Sequence, residues 1–232
     1  MAQSAEGNAN YSDTYFDKHE LAAGNSARQV VPFVMSVLRP TSIADVGCGS
    51  GQWTKEFILN GVQKAYAFDA FASPRWGGTA NSVEFQKIDL EECVADFPDV
   101  ELVCWLEVAE HLSKFSCNRI LHDIVERTDA ILFSCAVPGQ GGTGHVSERR
   151  LSDWVSDFGK VGFCCADVLR PRFWYDKGVS WWYRQNTVIF VKENSVASNA
   201  ILHFQLPTFG GVDLIHPDLF EVKRNYSNNI MG

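Results

Sequence analysis

The stretch IADVGCGSGQW, residues 43–53, sets three glycines at alternate positions directly behind a short apolar run that carries one acid, Asp45. The apolar run reads as a buried strand. The following SGQWTKEFILNG reads as a helix stopped by Gly61. Strand, glycine turn and helix in that order form the opening unit of a parallel α/β sheet, where ligands bind beyond the carboxyl ends of the strands. Gly47, Gly49 and Gly51 let backbone amides come close to a ligand, although a tight turn alone also uses glycine. The spacing is informative. A dinucleotide fingerprint, G-x-G-x-x-G, needs glycine at position 52, where Gln52 stands, and the Lys-Ser/Thr pair of a P-loop is missing.

Working outward, apolar segments rich in Val, Ile, Phe and Cys alternate with helical patterns. KAYAFDA, VEFQKIDL, VELVCWLEV, AILFSCAV, FCCADVLR and QNTVIFVKE read as six further strands, while AEHLSKFSCNRILHDIVER and ERRLSDWVSDFGKVG read as helices. The alternation predicts an α/β fold, Rossmann-like, with seven mostly parallel strands and helices on both faces. The connector PRFWYDKGVSWWYR is too irregular for a helical crossover, so the last strand is expected to run antiparallel. Three segments are expected: residues 1–40 as an N-terminal helical lid, with Pro32 in the first turn of a second helix, 41–193 as the core, and 194–232 as a C-terminal extension wrapping it.

Composition narrows the class. The 232 residues carry a net charge of −8 and 46% hydrophobic residues, ordinary for a globular domain and unfavourable for a polynucleotide partner. No apolar run approaches the length of a membrane span, and the polar start MAQSAEGNANYSDTYFDKHE has no secretory core. The seven cysteines show no C-x-x-C spacing and sit mostly in apolar stretches, so reduced thiols in a cytoplasmic protein are expected.

Two further acids end strands: Asp69 in YAFDA and Asp89 in QKIDLEE. Singly, each is an ordinary turn former. Together with Asp45-x-Gly47-x-Gly49-x-Gly51 they resemble the cofactor-binding signature of the class I S-adenosylmethionine (SAM) dependent methyltransferases. The resemblance implies SAM as cofactor and S-adenosylhomocysteine as product. It implies Gly47, Gly49 and Gly51 along the methionine tail and Asp45 anchoring the loop or meeting the ammonium. Asp69 would hold the ribose hydroxyls, Asp89 the adenine amino group, and the Leu90 amide the ring. LEVAEHL resembles the family segment in which Leu106 and Glu107 touch the cofactor backbone-first. Glu107, Glu110 and His111 would share a face if a helix began there, but the pattern lacks the first His of the zinc helix motifs, and no metal is expected.

PGQGGTGHVSE, WWYRQN and His216-Pro217, with Tyr15 and His19 near the start, resemble a bacterial small-molecule subgroup of these enzymes over roughly Tyr11 to Phe220. Ser147 and Arg149 depart from the subgroup's Asn and Gln, and AFASPRWGGTANS is atypical. The implied reaction is methyl transfer, most simply to oxygen, in bacterial secondary metabolism or glycan tailoring. N-methylation and a SAM-binding protein without turnover are the alternatives. A hydroxyl acceptor wants a base, and histidine suits at neutral pH. His145 in its glycine-rich loop is the first candidate, with a loop-anchoring hydrogen bond as its other use; His111 is second, with packing or capping as its other use; His19 is third. Tyr15, His19, Arg170, Arg172, Trp182, Tyr183 and Arg184 are the expected acceptor contacts. The arginine forks would suit a carboxylate, phosphate, phosphonate or charged sugar, unless the aromatics are core and the arginines cover its rim.

Overall fold

A computed structural model describes residues 13–70, 74–202 and 211–230. The chain opens with helix α1 (Asp13–Leu38), then runs β1 (Ser42–Val46), α2 (Gln52–Leu59), β2 (Lys64–Asp69), β3 (Val83–Lys87) and β4 (Leu102–Leu106). Next come α3 (Lys114–Val125), β5 (Ala130–Ser134), α4 (Leu151–Lys160) and β6 (Phe163–Ala166). Two short helices, α5 (Arg170–Phe173) and α6 (Trp181–Asn186), lead into β7 (Val188–Lys192), followed by α7 (Val196–Leu202) and α8 (Pro217–Ile230).

The strands form one sheet in the order β3-β2-β1-β4-β5-β7-β6. Strands β1 to β5 pair in parallel. β7 enters between β5 and β6 and runs antiparallel to both. Every residue of β4 and β5 is buried, because helices cover both faces.

Alternate residues feed two cores, as the two-residue period of a strand requires. Ala44, Val46, Val103, Trp105, Ile131 and Phe133 pack beneath Ile120, Ile124, Trp154 and Phe158 of α3 and α4. Ile43, Leu102, Cys104, Leu132 and Ile189 pack beneath Val30, Val31 and Val34 of α1 and Trp53 and Phe57 of α2. All seven thiols are free, and Cys93 and Cys164 are exposed. No helix among the described residues is long and apolar enough to cross a membrane.

Three local expectations are corrected. α1 is one helix with Pro32 inside it. Proline costs the helix one internal hydrogen bond, but the stripe Val30, Val31, Val34 and Val37 is buried on both sides of it and holds the helix together. The helix expected from Ala109 begins only at Lys114, behind a 3-10 turn at Ala109–His111; Ser113 caps it by accepting the Ser116 N–H at 3.2 Å. The irregular connector holds the short helices α5 and α6, and Gln185 and Asn186 end α6 rather than begin the last strand. Within the C-terminal residues, α7 lies against α1 and β7, and α8 against α6.

The first core centres on Phe133, ringed by Trp105, Trp154, Phe158 and Phe190 at centroid distances of 5.3, 4.9, 5.6 and 5.7 Å. Phe133→Ala is expected to cost about 3–5 kcal/mol in urea unfolding. A loss under about 1 kcal/mol would show that this aromatic cluster closes over the gap.

Candidate active site

The glycine loop leaves the carboxyl end of β1 and lies across the end of β2. The Gly47 and Cys48 N–H groups donate to the Phe68 carbonyl at 2.8 and 2.9 Å, and the Gly49 N–H donates to Asp69 Oδ2 at 2.9 Å. The outer glycines are fixed by their neighbours: a Cβ on Gly47 would stand 2.3 Å from Val108, and one on Gly51 2.1 Å from Trp76. A Cβ on Gly49 would meet nothing within 4 Å among the described residues, and its φ of +53° disfavours any side chain. The middle glycine thus presents bare backbone to open space beside the Asp69 carboxylate.

Asp45 lies under this loop, almost fully buried, and accepts the Thr54 hydroxyl. Burial pushes its carboxyl up to about 7, with the Thr54 bond acting downward and the Asp69 charge upward. The carboxylate thus ties the end of β1 to the first turn of α2 on the far side of the loop. Asp89 is exposed and accepts the Glu91 N–H at 2.9 Å, a turn-forming bond. Leu90 is buried. Arg119 donates to the carbonyls of Leu90, Glu91, Glu92 and Cys93 at 2.9 to 3.1 Å, clamping the segment after β3. No pattern in the sequence marks that arginine.

At the end of β4, Glu107 has a φ of +53°, and its N–H donates to the Ser134 carbonyl and hydroxyl at 3.0 and 3.1 Å. Its Oε1 accepts Asn186 Nδ2 at 3.2 Å. Leu106 is buried beside it. Because the helix starts later than expected, Glu107, Glu110 and His111 share no helix face. Glu110 is fully buried. Its Oε1 accepts the Ala136 N–H at 3.2 Å and its carboxyl faces that of Glu107, while Oε2 accepts from no N–H or hydroxyl group among the described residues. Burial pushes both carboxyls up, and for Glu110 the Glu107 charge adds to it.

The loop after β5 folds onto this turn. The Val146 and Ser147 N–H groups donate to the Glu110 carbonyl at 2.8 and 3.0 Å. Glu148 accepts the Gly139 and Gly141 N–H groups at 2.7 and 2.6 Å and His145 Nδ1 at 3.0 Å. Burial alone would raise the Glu148 carboxyl, but these bonds hold it below the usual carboxylate range. His111 Nδ1 donates to the Gly144 carbonyl at 3.2 Å. The two imidazoles meet edge to face, 4.9 Å between centroids. The structure therefore brings the two candidate bases together. It also brings one ligand atom each of Glu110, His111 and His145 within 4.8 Å of one another, where the sequence pattern gave no expectation of a metal.

The expected acceptor contacts fare differently. Arg170 does not present a fork to a ligand: it is 2% exposed, paired with both oxygens of Asp167 at 2.9 and 2.7 Å, and donates to the Val212 carbonyl at 2.8 Å. Arg184 is also buried, held by the Trp174 carbonyl at 3.1 Å and Asp218 at 2.6 Å. Desolvation leaves both guanidinium groups dependent on these partners. Arg172 lies over the Phe33 ring on the α1 side. Tyr183 is core, its hydroxyl accepting Trp53 Nε1 at 3.3 Å, and Trp182 packs partly buried against the same core. The side chains of Tyr15 and His19, on the first turns of α1, lie outside the described residues. A cleft of about 380 Å³ not foreseen from sequence opens beside the glycine loop, lined by Glu20, Leu21, Gly24, Arg28, Gln52 and Arg75.

No family model matches the chain. It is 35% identical over 89 residues to the ribosomal protein L11 methyltransferase of Thermosynechococcus vestitus, a match covering 38% of this chain and 28% of that protein. Its structure superposes on magnesium protoporphyrin IX methyltransferase from Synechocystis PCC 6803 with bound SAH, at a TM-score of 0.54 and 15% identity, over 80% of this chain and 90% of that one. The chain has the class I SAM-dependent methyltransferase fold. A second such structure is Burkholderia thailandensis 1,6-didemethyltoxoflavin-N1-methyltransferase, solved with its namesake compound and S-adenosylhomocysteine. Its TM-score is 0.55 at 16% identity, covering 77% and 79% of the two chains. In this methyltransferase fold the glycine loop and the paired imidazoles occupy the same end of the sheet.

The buried carboxyl under the loop gives a pH test. Asp45 holds its proton up to about pH 7 when folded, against 3.8 for the ordinary group. Below the lower value both states are protonated and nothing is lost. As pH rises through the window the unfolded chain ionises first, so stability falls, levelling above about 7. Asp45→Asn keeps an acceptor for Thr54 without the charge. Its urea stability relative to the wild type is expected to rise between pH 4 and 7, on the order of 4 kcal/mol at 1.36 kcal/mol per pKa unit. A difference that stays constant with pH would overturn this reading of Asp45.

Proposed function

We propose that the chain is a SAM-dependent methyltransferase that methylates a hydroxyl oxygen of a small acceptor. The observation that carries this is the Gly49–Asp69 contact: bare backbone and a strand-end carboxylate share one rim, one strand away from His111 and His145. The open space at Gly49 fits a ligand that approaches the backbone, so the site is compatible with SAM. Gly47, Gly49 and Gly51 would line its methionine tail, Asp69 would hold the ribose hydroxyls, and Asp89 and the Leu90 amide would meet the adenine. Leu106 and Glu107 would close the site from β4. When bound, SAM supplies a methyl group on a positively charged sulfur, an electrophile with a good leaving group.

The chain's own task is then to hold the acceptor oxygen in line, which alone supplies much of the rate, and to take its proton. His145 and His111 donate through Nδ1, so each neutral ring carries its lone pair on Nε2. With Arg170 and Arg184 committed to Asp167 and Asp218, nothing in the described site selects an anionic acceptor. The acidic chain favours a small molecule over a polynucleotide. That the superposed methyltransferases were crystallised with SAH supports the cofactor.

Calorimetric titration is expected to show SAM and SAH binding and no NADH binding; silence with all three would sink the proposal. Asp69→Ala is expected to weaken SAM by about 1–3 kcal/mol through lost ribose bonds, and unchanged affinity would move the ribose elsewhere. His145→Ala is expected to lower turnover about 10²–10⁴-fold with SAM affinity kept. Turnover equal to wild type would leave His145 as a loop anchor alone.

A further inference from the structure

We propose that Glu110, His111 and His145 form a binding site for a first-row divalent cation such as Co²⁺, Mn²⁺ or Zn²⁺. The three groups come from two separate loops, yet each brings a ligand atom within 4.8 Å of the others. Glu110 is fully buried with its carboxyl facing that of Glu107, and its Oε2 accepts from no N–H or hydroxyl group among the described residues although Oε1 does. A buried carboxylate oxygen left bare is costly unless a cation or proton meets it.

Both imidazoles have Nδ1 committed to an oxygen, which leaves Nε2 as the nitrogen that would bind. His145 donates Nδ1–H to the Glu148 carboxylate at 3.0 Å, and His111 donates Nδ1–H to the Gly144 carbonyl at 3.2 Å. Each bond selects the tautomer whose lone pair lies on Nε2, and carboxylate or carbonyl partners of this kind are the usual outer support of metal-bound histidine. Gly142 is part of the same arrangement: a Cβ there would stand 2.2 Å from His145 Nε2, so glycine is what lets the loop pack against the His145 ring. Glu148 is itself held by the Gly139 and Gly141 amides, and the Glu110 carbonyl accepts Val146 and Ser147. The loops are therefore fixed to each other before any cation arrives.

Two nitrogens and one oxygen suit a first-row transition metal better than Mg²⁺ or Ca²⁺. Three protein ligands leave coordination positions open, and the site faces solvent on the His111 side. The role in catalysis rests on the methyltransferase reading above. An acceptor hydroxyl bound at an open position becomes more acidic. Its proton leaves to water, its oxygen bonds the methyl carbon, and the carbon–sulfur bond breaks with its electron pair passing to sulfur. The cation then performs the task that the imidazoles would otherwise perform as bases.

The test is titration of chelator-treated full-length protein with CoCl₂, read by visible absorption and calorimetry without SAM. One Co²⁺ per chain is expected, with new visible bands. His145→Ala is expected to abolish both. Glu148→Gln, which touches no ligand atom, is expected to weaken Co²⁺ about 10–100-fold. Gly142→Ala, at a backbone conformation open to alanine, is expected to weaken it also by displacing the His145 ring. No Co²⁺ uptake by the wild type, or uptake that all three variants retain, would overturn the site. SAM calorimetry on the same metal-free protein reports separately, so failure of the cation site and failure of the cofactor reading are distinguishable.

Discussion

One buried amide oxygen ties the ligand end of the sheet together. Gln140 Oε1 accepts the Val137 N–H at 3.3 Å, Gln185 Nε2 at 3.1 Å and Asn186 Nδ2 at 3.0 Å. Asn186 also reaches Glu107 at the end of β4, and Gln185 accepts the His216 N–H at 2.8 Å. Through the three side chains of Gln140, Gln185 and Asn186, the loop after β5, the turn before β7, the end of β4 and the start of α8 are held in one arrangement. Buried polar groups of this kind are demanding, since each must keep its partner once water is excluded. The PGQGG, WWYRQN and His-Pro stretches that stand apart in the sequence are therefore parts of one hydrogen-bonded assembly.

Much of the frame is legible in the residues because it follows from hydrophobic burial. Runs such as LVCWL and AILFS carry no polar residue that could face water, apart from the terminal Ser134, so two covered faces follow directly. The antiparallel β7 follows from the missing crossover, but its place between β5 and β6 does not, because pairing partners leave no periodic trace. Polar assignments were less legible. Arg170 and Arg184 look like ligand forks until their partners are known, although Asp167, three residues before Arg170, was a readable local signal. The cluster of Glu110, His111 and His145 does not place both histidines on one helix, so it leaves no local pattern. Its second imidazole arrives from another loop through tertiary packing.

The ligand end of the sheet gathers acids. Asp45, Glu107 and Glu110 sit at or just beyond the ends of β1 and β4 with their carboxyls displaced upward by burial, and Asp69 stands beside Asp45. A cationic ligand reverses that electrostatic cost, since an opposite charge favours the ionised form.

The strand order has one more effect, on how copies of this protein meet. Among the described residues, β3 and β6 are the strands with an open side. β3 is solvent-facing along most of its length and carries Glu84 and Lys87, with Glu84 paired to Lys64. β6 is only four residues long. Charge on one border and brevity on the other deny an incoming strand a template, so the most apolar strands of the sheet stay shielded from edge-to-edge aggregation.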